Sequence, residues 1–167
     1  KEILVAFLSH RREVITRRTV FELNKAREKA FLLEGLTVVV SNLDDIVNLI
    51  KSSPSPVIAK DELLAKVWDP GVVRDMLLRA VKSTVIEAFR PIDVPPGCGL
   101  NDEGYKLSER QATEILQMRL QRLTGLEQEK IVNDFKEVIE KISDLLDILA
   151  KPQRISGLIR GDFEKIN

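Results

Sequence analysis

From Glu2 to Glu34 the chain has neither proline nor glycine. These are the two residues that most readily interrupt a helix. The run therefore predicts one continuous helix of about 50 Å at 1.5 Å rise per residue. A helix that long cannot bury its apolar side on itself, so the remainder of the chain has to supply its partners. The apolar positions also change frame. Ile3, Phe7, Val14 and Phe21 share one stripe. Leu23, Ala26, Ala30, Leu33, Thr37 and Val40 form a second, spaced by three and four. A face that drifts in this way predicts different neighbours at the two ends.

A second long seam lies near the other end. Ile131, Phe135, Val138, Ile142, Leu145 and Leu149 alternate steps of four and three, the heptad pattern of a coiled coil. "TGLE" at Thr124–Glu127 reads as the capping box that starts this helix, and Pro152 interrupts it. Ile155, Leu158, Ile159 and Phe163 then form a last amphipathic piece. An apolar seam does not stay in water. Its nearest partner is the first helix, met antiparallel, and the other candidate is a second chain.

Between the two seams the sequence is punctuated. Asn42 can cap a helix through Ile50, and Ser55-Pro56 and Asp69-Pro70 each place a cap before a proline at the first helical position. Trp68 lies between those two short helices as a small core. Residues 82–106 hold "RPIDVPPGCGLNDEG", a dense run of breakers that reads as irregular chain. "SERQ" at Ser108–Gln111 is a capping box opening a helix that carries Ala112, Ile115, Leu116, Leu120 and Leu123. The organisation expected is an ascending helix over 1–40, a helical head over 41–123, a returning helix over 124–150 and a terminal amphipathic helix over 151–167. The fold class is all-α: a long antiparallel two-helix coiled coil with a small helical globular head.

Composition agrees. Hydrophobic content is 44% but aromatic content only 5%, with 31% charge, which suits helices packed by aliphatic side chains. Lys+Arg and Asp+Glu both total 26, so any electrostatic footprint must be local. No stretch approaches the roughly 20 apolar residues of a membrane span. The lone Cys98 excludes an internal disulfide and fits a reducing compartment. The chain starts without Met or a signal peptide, on an apolar helical pattern, and reads as a piece of a larger protein.

Catalytic chemistry finds few candidates. His10 has no Cys or carboxylate at ligand spacing and reads as a surface or packing residue. Tyr105, just before a helix cap, reads as a loop anchor that packs its ring. Cys98 has no partner base. There is no GxxxxGK[ST] and no GxGxxG. No catalytic residue and no metal ligand are assigned.

"HRREVITRRT" at residues 10–19 concentrates four arginines. Arg12 and Arg17 fall on the polar side, with Glu13 and Arg17 a favourable i,i+4 pair. Arg11 and Arg18 fall among Phe7, Leu8, Val14 and Ile15, where their stems can cover apolar surface. Pairing with Asp144 or Asp147 of the returning helix is one expectation for them. Contact with DNA or with another domain is the other. Without interleaved aromatics the patch is a weak nucleic-acid signal. Met118 lies off the core side of its helix, near Gln111 and Ile115 on the wheel, and suits an adaptable protein contact.

Two of these stretches carry a resemblance. "FLSHRREVITRRTVFELNKAREKAFLLEGL" (Phe7 to Leu36) and "LSERQATEILQMRLQRLTGLEQEKI" (Leu107 to Ile131) resemble the A subunits of bacterial type IIA DNA topoisomerases, gyrase more than topoisomerase IV. "VWDP" around Trp68 and "LLDILAKPQRISGLIR" match in place and order. "VPPGCG" does not match, and nothing is carried over there. The resemblance implies the coiled coil and exit-gate (C-gate) part of such a protein. It implies a homodimer through the head, centred on the helix from Glu109 to Leu123, with Gln111, Ile115, Met118, Arg119 and Arg122 at the contact. It further implies that Arg11 and Arg18 set the exit angle of the stalk and that Arg12 and Arg17 face solvent or passing DNA. ATP, Mg2+, the gyrase B subunit and double-stranded DNA would belong to the parent bacterial, cytoplasmic, nucleoid-associated complex. The chain itself would hold no cofactor and catalyse nothing. The rival readings are the equivalent part of topoisomerase IV, a scaffold dimerising along Ile131 to Leu149, and a basic stalk that binds DNA alone.

Overall fold

The first helix, α1, runs unbroken over Glu2–Ser41, about 60 Å at the helical rise. The computed structural model describes residues 2–81, 85–151, 153–155 and 157. The second apolar stripe behaves as its spacing predicts. Leu23, Ala26, Ala30 and Thr37 are buried, and Leu33 and Val40 half-buried. The first stripe does not. Ile3, Phe7 and Phe21 are exposed, and Ile15 and Thr19 turn inward instead. Thr19 satisfies its hydroxyl by donating to the Ile15 carbonyl at 2.8 Å. For Ile3 and Phe7 the cause is a mismatch of length. The returning helix, α6 at Gly125–Ala150, has 26 residues against 40 in α1, and residues 2–10 are exposed throughout.

The N-terminus of α6 is capped by Thr124, whose Oγ1 accepts from the Glu127 amide at 3.1 Å. It buries Phe135, Val138, Ile139, Ile142, Leu145 and Ile148 against α1. Ile131 and Leu149, the ends of the heptad seam, are only half-buried. A straight helix has 3.6 residues per turn, so a strict 3.5-residue seam drifts off the contact at its ends. The partner of the seam is thus α1 of the same chain, and the all-α antiparallel stalk is as expected. Removing the cap with Thr124→Ala is expected to cost about 1 kcal/mol, measurable as a fall of about 2–4 °C in Tm. An unchanged Tm would show that the cap contributes nothing.

The head is built from shorter pieces. Helix α2 spans Leu43–Ser52. Asn42 precedes it but makes no side-chain cap. Its Nδ2 donates instead to the carbonyls of Val38 and Asp69, tying the end of α1 to a distant loop. Helix α3 (Pro56–Ala65) starts as predicted, with Ser55 accepting from the Ile58 amide. Helix α4 (Val72–Ala80) starts later than the Asp69-Pro70 signal predicts. Asp69 accepts from the Gly71 amide at 3.0 Å, and Gly71 adopts a positive φ of 56° before the first turn. The aspartate makes a local turn there rather than a cap. Trp68 is buried beside α3, donating its indole N–H to the Leu63 carbonyl at 3.1 Å.

The stretch after α4 is more ordered than its breakers suggest. A 3-10 turn occupies Ile86–Phe89. A two-residue hairpin pairs β1 (Gly99–Leu100) with β2 (Tyr105–Lys106). Asn101 closes its turn by accepting from the amides of Glu103 and Gly104. Tyr105 also exchanges two 2.8 Å backbone hydrogen bonds with Trp68. Helix α5 spans Glu109–Gln117 and opens on the full Ser108–Gln111 capping box. The chain does not continue helically to Leu123, as its apolar pattern predicts. It turns extended at Met118 and makes a 3-10 turn at Leu120–Arg122. That break lets Leu120 enter the core while Arg119 and Arg122 stay outside. Of the terminal amphipathic piece, Ile155 is buried, and Pro152, Leu158, Ile159 and Phe163 lie outside the described residues. No helix of the described residues is long and apolar enough to cross a membrane.

Candidate functional site

Two features of the head stand out: an open groove at the end of α5 and a buried polar cluster beneath it. The groove is lined by Val47 and Ile50 of α2, by Leu116 and Met118 at the end of α5, and by Arg119, Leu120, Gln121 and Arg122 of the following turn. Its space of about 400 Å³ is bounded by apolar walls with an arginine rim. Met118 is half-buried and Arg119 and Arg122 are exposed. These three residues, singled out in the sequence, do share one surface.

Gln111 and Ile115 do not join them. Both are buried inside the chain, Gln111 at 1% exposure and Ile115 at 0%. The burial of Gln111 has a clear physical cause. Gln111 is the second half of the capping box, so its side chain is committed to the backbone of its own helix start. Its Oε1 accepts from the Ser108 amide at 2.9 Å, and its Nε2 donates to the Phe31 carbonyl and to the Tyr105 hydroxyl, each at 2.8 Å. The close approach to α1 is possible because residue 35 is glycine. A Cβ there would lie 3.0 Å from Gln111 Cγ.

The Tyr105 hydroxyl in turn donates to Glu34 Oε2 at 2.7 Å. Arg90 Nη2 donates to Glu34 Oε1 at 2.9 Å, and its guanidinium lies over the Phe31 ring at 5.9 Å. Glu34 and Arg90 side chains are only 4% and 11% exposed. Burial pushes the Glu34 carboxyl above the usual carboxylate range, with Arg90 and the Tyr105 hydroxyl pulling it partly back. Burial also pushes the Tyr105 phenol well above its ordinary value, reinforced by the Glu34 charge. The phenol is held as a neutral donor to Glu34. Its ring is fully buried, in keeping with the loop-anchor reading.

Sequence patterns do not reveal this cluster as a unit. One signal is available. Glu34 sits four residues from both Ala30 and Val38 on the buried face of α1, and a carboxylate there needs a partner. No local pattern names that partner, because Arg90 and Tyr105 are 56 and 71 residues away. A further set of ions lies at the surface of the same region. Arg110 bridges Glu28 of α1 at 2.5 Å and Asp93 at 2.7 Å. Partly exposed pairs of this kind add little stability.

On the stalk, Glu13 and Arg17 form the expected i,i+4 ion pair. Asp144 and Asp147, the aspartates considered for Arg11 and Arg18, lie in an ion-pair group with the chain just beyond α6. Arg154 holds both aspartates at 2.7 and 2.9 Å, and Lys151 also holds Asp147. Arg11 is half-buried, and Arg12, Arg17 and Arg18 are exposed. Arg18 lies on the rim of a shallow stalk groove with Phe21, Lys25, Asp134 and Glu137. His10 is exposed.

Comparison with known proteins gives one answer. The family described as the A subunit of DNA gyrase/topoisomerase IV matches residues 1–164. The chain is 46% identical over 166 residues, 99% of its length, to the DNA gyrase A subunit of Pseudomonas aeruginosa, and covers 18% of that relative. It is 48% identical over 135 residues to the DNA gyrase A subunit of Escherichia coli, covering 81% of the chain and 15% of the relative. The Haemophilus influenzae DNA gyrase A subunit is 37% identical over 166 residues, 99% of the chain and 18% of the relative. The chain thus spans about a fifth of the length of these relatives. A long paired helix carrying a compact helical head, matched almost end to end at this identity, belongs to the family of DNA gyrase and topoisomerase IV A subunits.

Proposed function

We propose that this chain is the coiled-coil strut and exit-gate contact of a gyrase A subunit, with two copies meeting head to head. The observation that carries the reading is the Met118–Arg122 surface, an apolar groove with an arginine rim at the outer end of α5. A gate that reopens for each transported duplex suits a modest, partly polar contact better than a continuous apolar seam. The rival scaffold reading needs a free seam on α6, and α1 covers that seam. Gyrase is favoured over topoisomerase IV because the named relatives are gyrase subunits.

In this reading the chain's own work is mechanical. The stalk walls the cavity that receives DNA after strand passage, and the head closes it. ATP-dependent supercoiling, the B subunit and double-stranded DNA belong to the parent bacterial complex. Among the described residues no group of three or more His, Cys, Asp or Glu is placed to hold a metal ion.

The test is sedimentation equilibrium of the parent and of Met118→Glu. The parent should self-associate. A carboxylate set against Val47, Ile50 and Leu116 should weaken the dimer by about 30-fold or more, the cost of burying an unpaired charged group in an apolar groove. A dimer indifferent to the change would move the contact off this surface. A parent that stays monomeric at every concentration would sink the reading for the chain alone.

A further inference from the structure

The side chains bonded in the buried cluster come from four separate segments. Glu34 is on α1, Arg90 follows the 3-10 turn, Tyr105 is on β2 and Gln111 is on α5. Each contributes hydrogen bonds whose direction is set by its partner. Gln111 cannot swing without losing bonds to Phe31, Tyr105 and Ser108 together. Glu34 holds Arg90 on one oxygen and Tyr105 on the other. Two glycines make the fit tight. A Cβ at Gly35 would press on Gln111, and one at Gly99 would lie 2.1 Å from Arg90 Nη1.

Shape-fitting of that kind is costly if stability is the only end. Apolar side chains of similar volume commonly serve a core as well as a buried ion pair, or better. What apolar packing lacks is directionality, since dispersion contacts tolerate small rotations that a set of shared hydrogen bonds does not. The segments joined here include α1, which packs against α5 together with α3, and α5 ends at the Met118–Arg122 surface.

We infer that Glu34, Arg90, Tyr105 and Gln111 form an angle-setting lock, which fixes the direction in which the end of α5 leaves the stalk. The four are positioning residues. None lies on the groove. The lock concerns orientation within one chain, so it stands whether or not the groove is a dimer contact.

The experiment separates orientation from stability. Nitroxide labels are placed at Glu22→Cys on α1 and Glu114→Cys on α5, both exposed positions, in a Cys98→Ser background. Labelled chain is diluted in unlabelled chain so that only intramolecular distances register. The triple variant Glu34→Leu/Arg90→Met/Tyr105→Phe should keep its helix content and a Tm within about 3 °C of the parent. Its distance distribution should broaden about two-fold or more, as a loosened packing would. Tyr105→Phe alone keeps the ring and removes one hydroxyl. It should broaden the distribution to a smaller degree, with a fall in Tm of about 2–8 °C, because Glu34 Oε2 and Gln111 Nε2 each lose a buried partner. The inference is overturned if either variant folds with the parent's distance distribution. It is equally overturned if the triple variant loses as much Tm as Arg90→Ala or fails to fold, because the cluster is then a stabilising core and not a lock.

Discussion

Arg90→Ala is expected to destabilise the chain by about 3–5 kcal/mol, because it leaves Glu34 buried without its counter-ion. Glu34 is 4% exposed as a side chain and has no water-facing route for its charge. The loss should depend on pH in a defined sense. Burial holds the folded pKa of Glu34 above its ordinary value of 4.5, and Arg90 is the larger of the two influences that oppose it. A raised folded pKa means that the folded chain takes up this proton more readily than the unfolded chain. Its contribution favours folding below 4.5 and is lost as pH rises through the folded pKa. Without Arg90 that folded pKa climbs further. The deficit of the variant should therefore be largest at neutral pH and shrink as pH falls toward 4.5. Urea midpoints for parent and variant, taken at about pH 7 and about pH 5, read this directly. An equal deficit at both would mean that Glu34 is not the group left unpaired.

Gly99→Ala should be nearly as damaging, for a different first cause. Gly99 has φ 93°, where an L side chain is strained. Its new Cβ would also lie 2.1 Å from Arg90 Nη1 and 2.7 Å from Cζ. The guanidinium must shift, which strains the Glu34 pair made by its Nη2. A loss of about 4 kcal/mol is expected, about 1–3 kcal/mol of it from the backbone. Because much of the damage passes through Arg90, the two changes should not add. Arg90→Ala/Gly99→Ala should cost only the backbone share beyond Arg90→Ala. A double variant whose loss equals the sum of the two singles would show that the glycine and the arginine act independently.

How much of this is legible in the sequence depends on how far each signal reaches along the chain. The helix 2–34, the seam on α6, and the caps at Ser55, Ser108 and Thr124 are local statements, and they hold. The two-helix stalk is the nearer of the two pairings the seams allow, the other being with a second chain. Three things need the third dimension. The break at Met118 has no glycine or proline to announce it, and the burial of Leu120 goes with it. Gln111 looks available for a partner on a helical wheel, yet its amide is spent on Ser108, Phe31 and Tyr105. Arg154, from beyond the end of α6, holds both Asp144 and Asp147, a pairing that no helical pattern announces.

The unbroken course of α1 has a mechanical consequence. Its first half is stalk, its last turns carry Phe31, Glu34 and Gly35 into the head, and no break in the helix separates them. A rigid rod of about 60 Å works as a lever: a tilt of about 5° at one end displaces the other by about 5 Å. Torque applied along the stalk thus reaches the head undamped, and the hinge for any gate-sized motion has to lie off this rod.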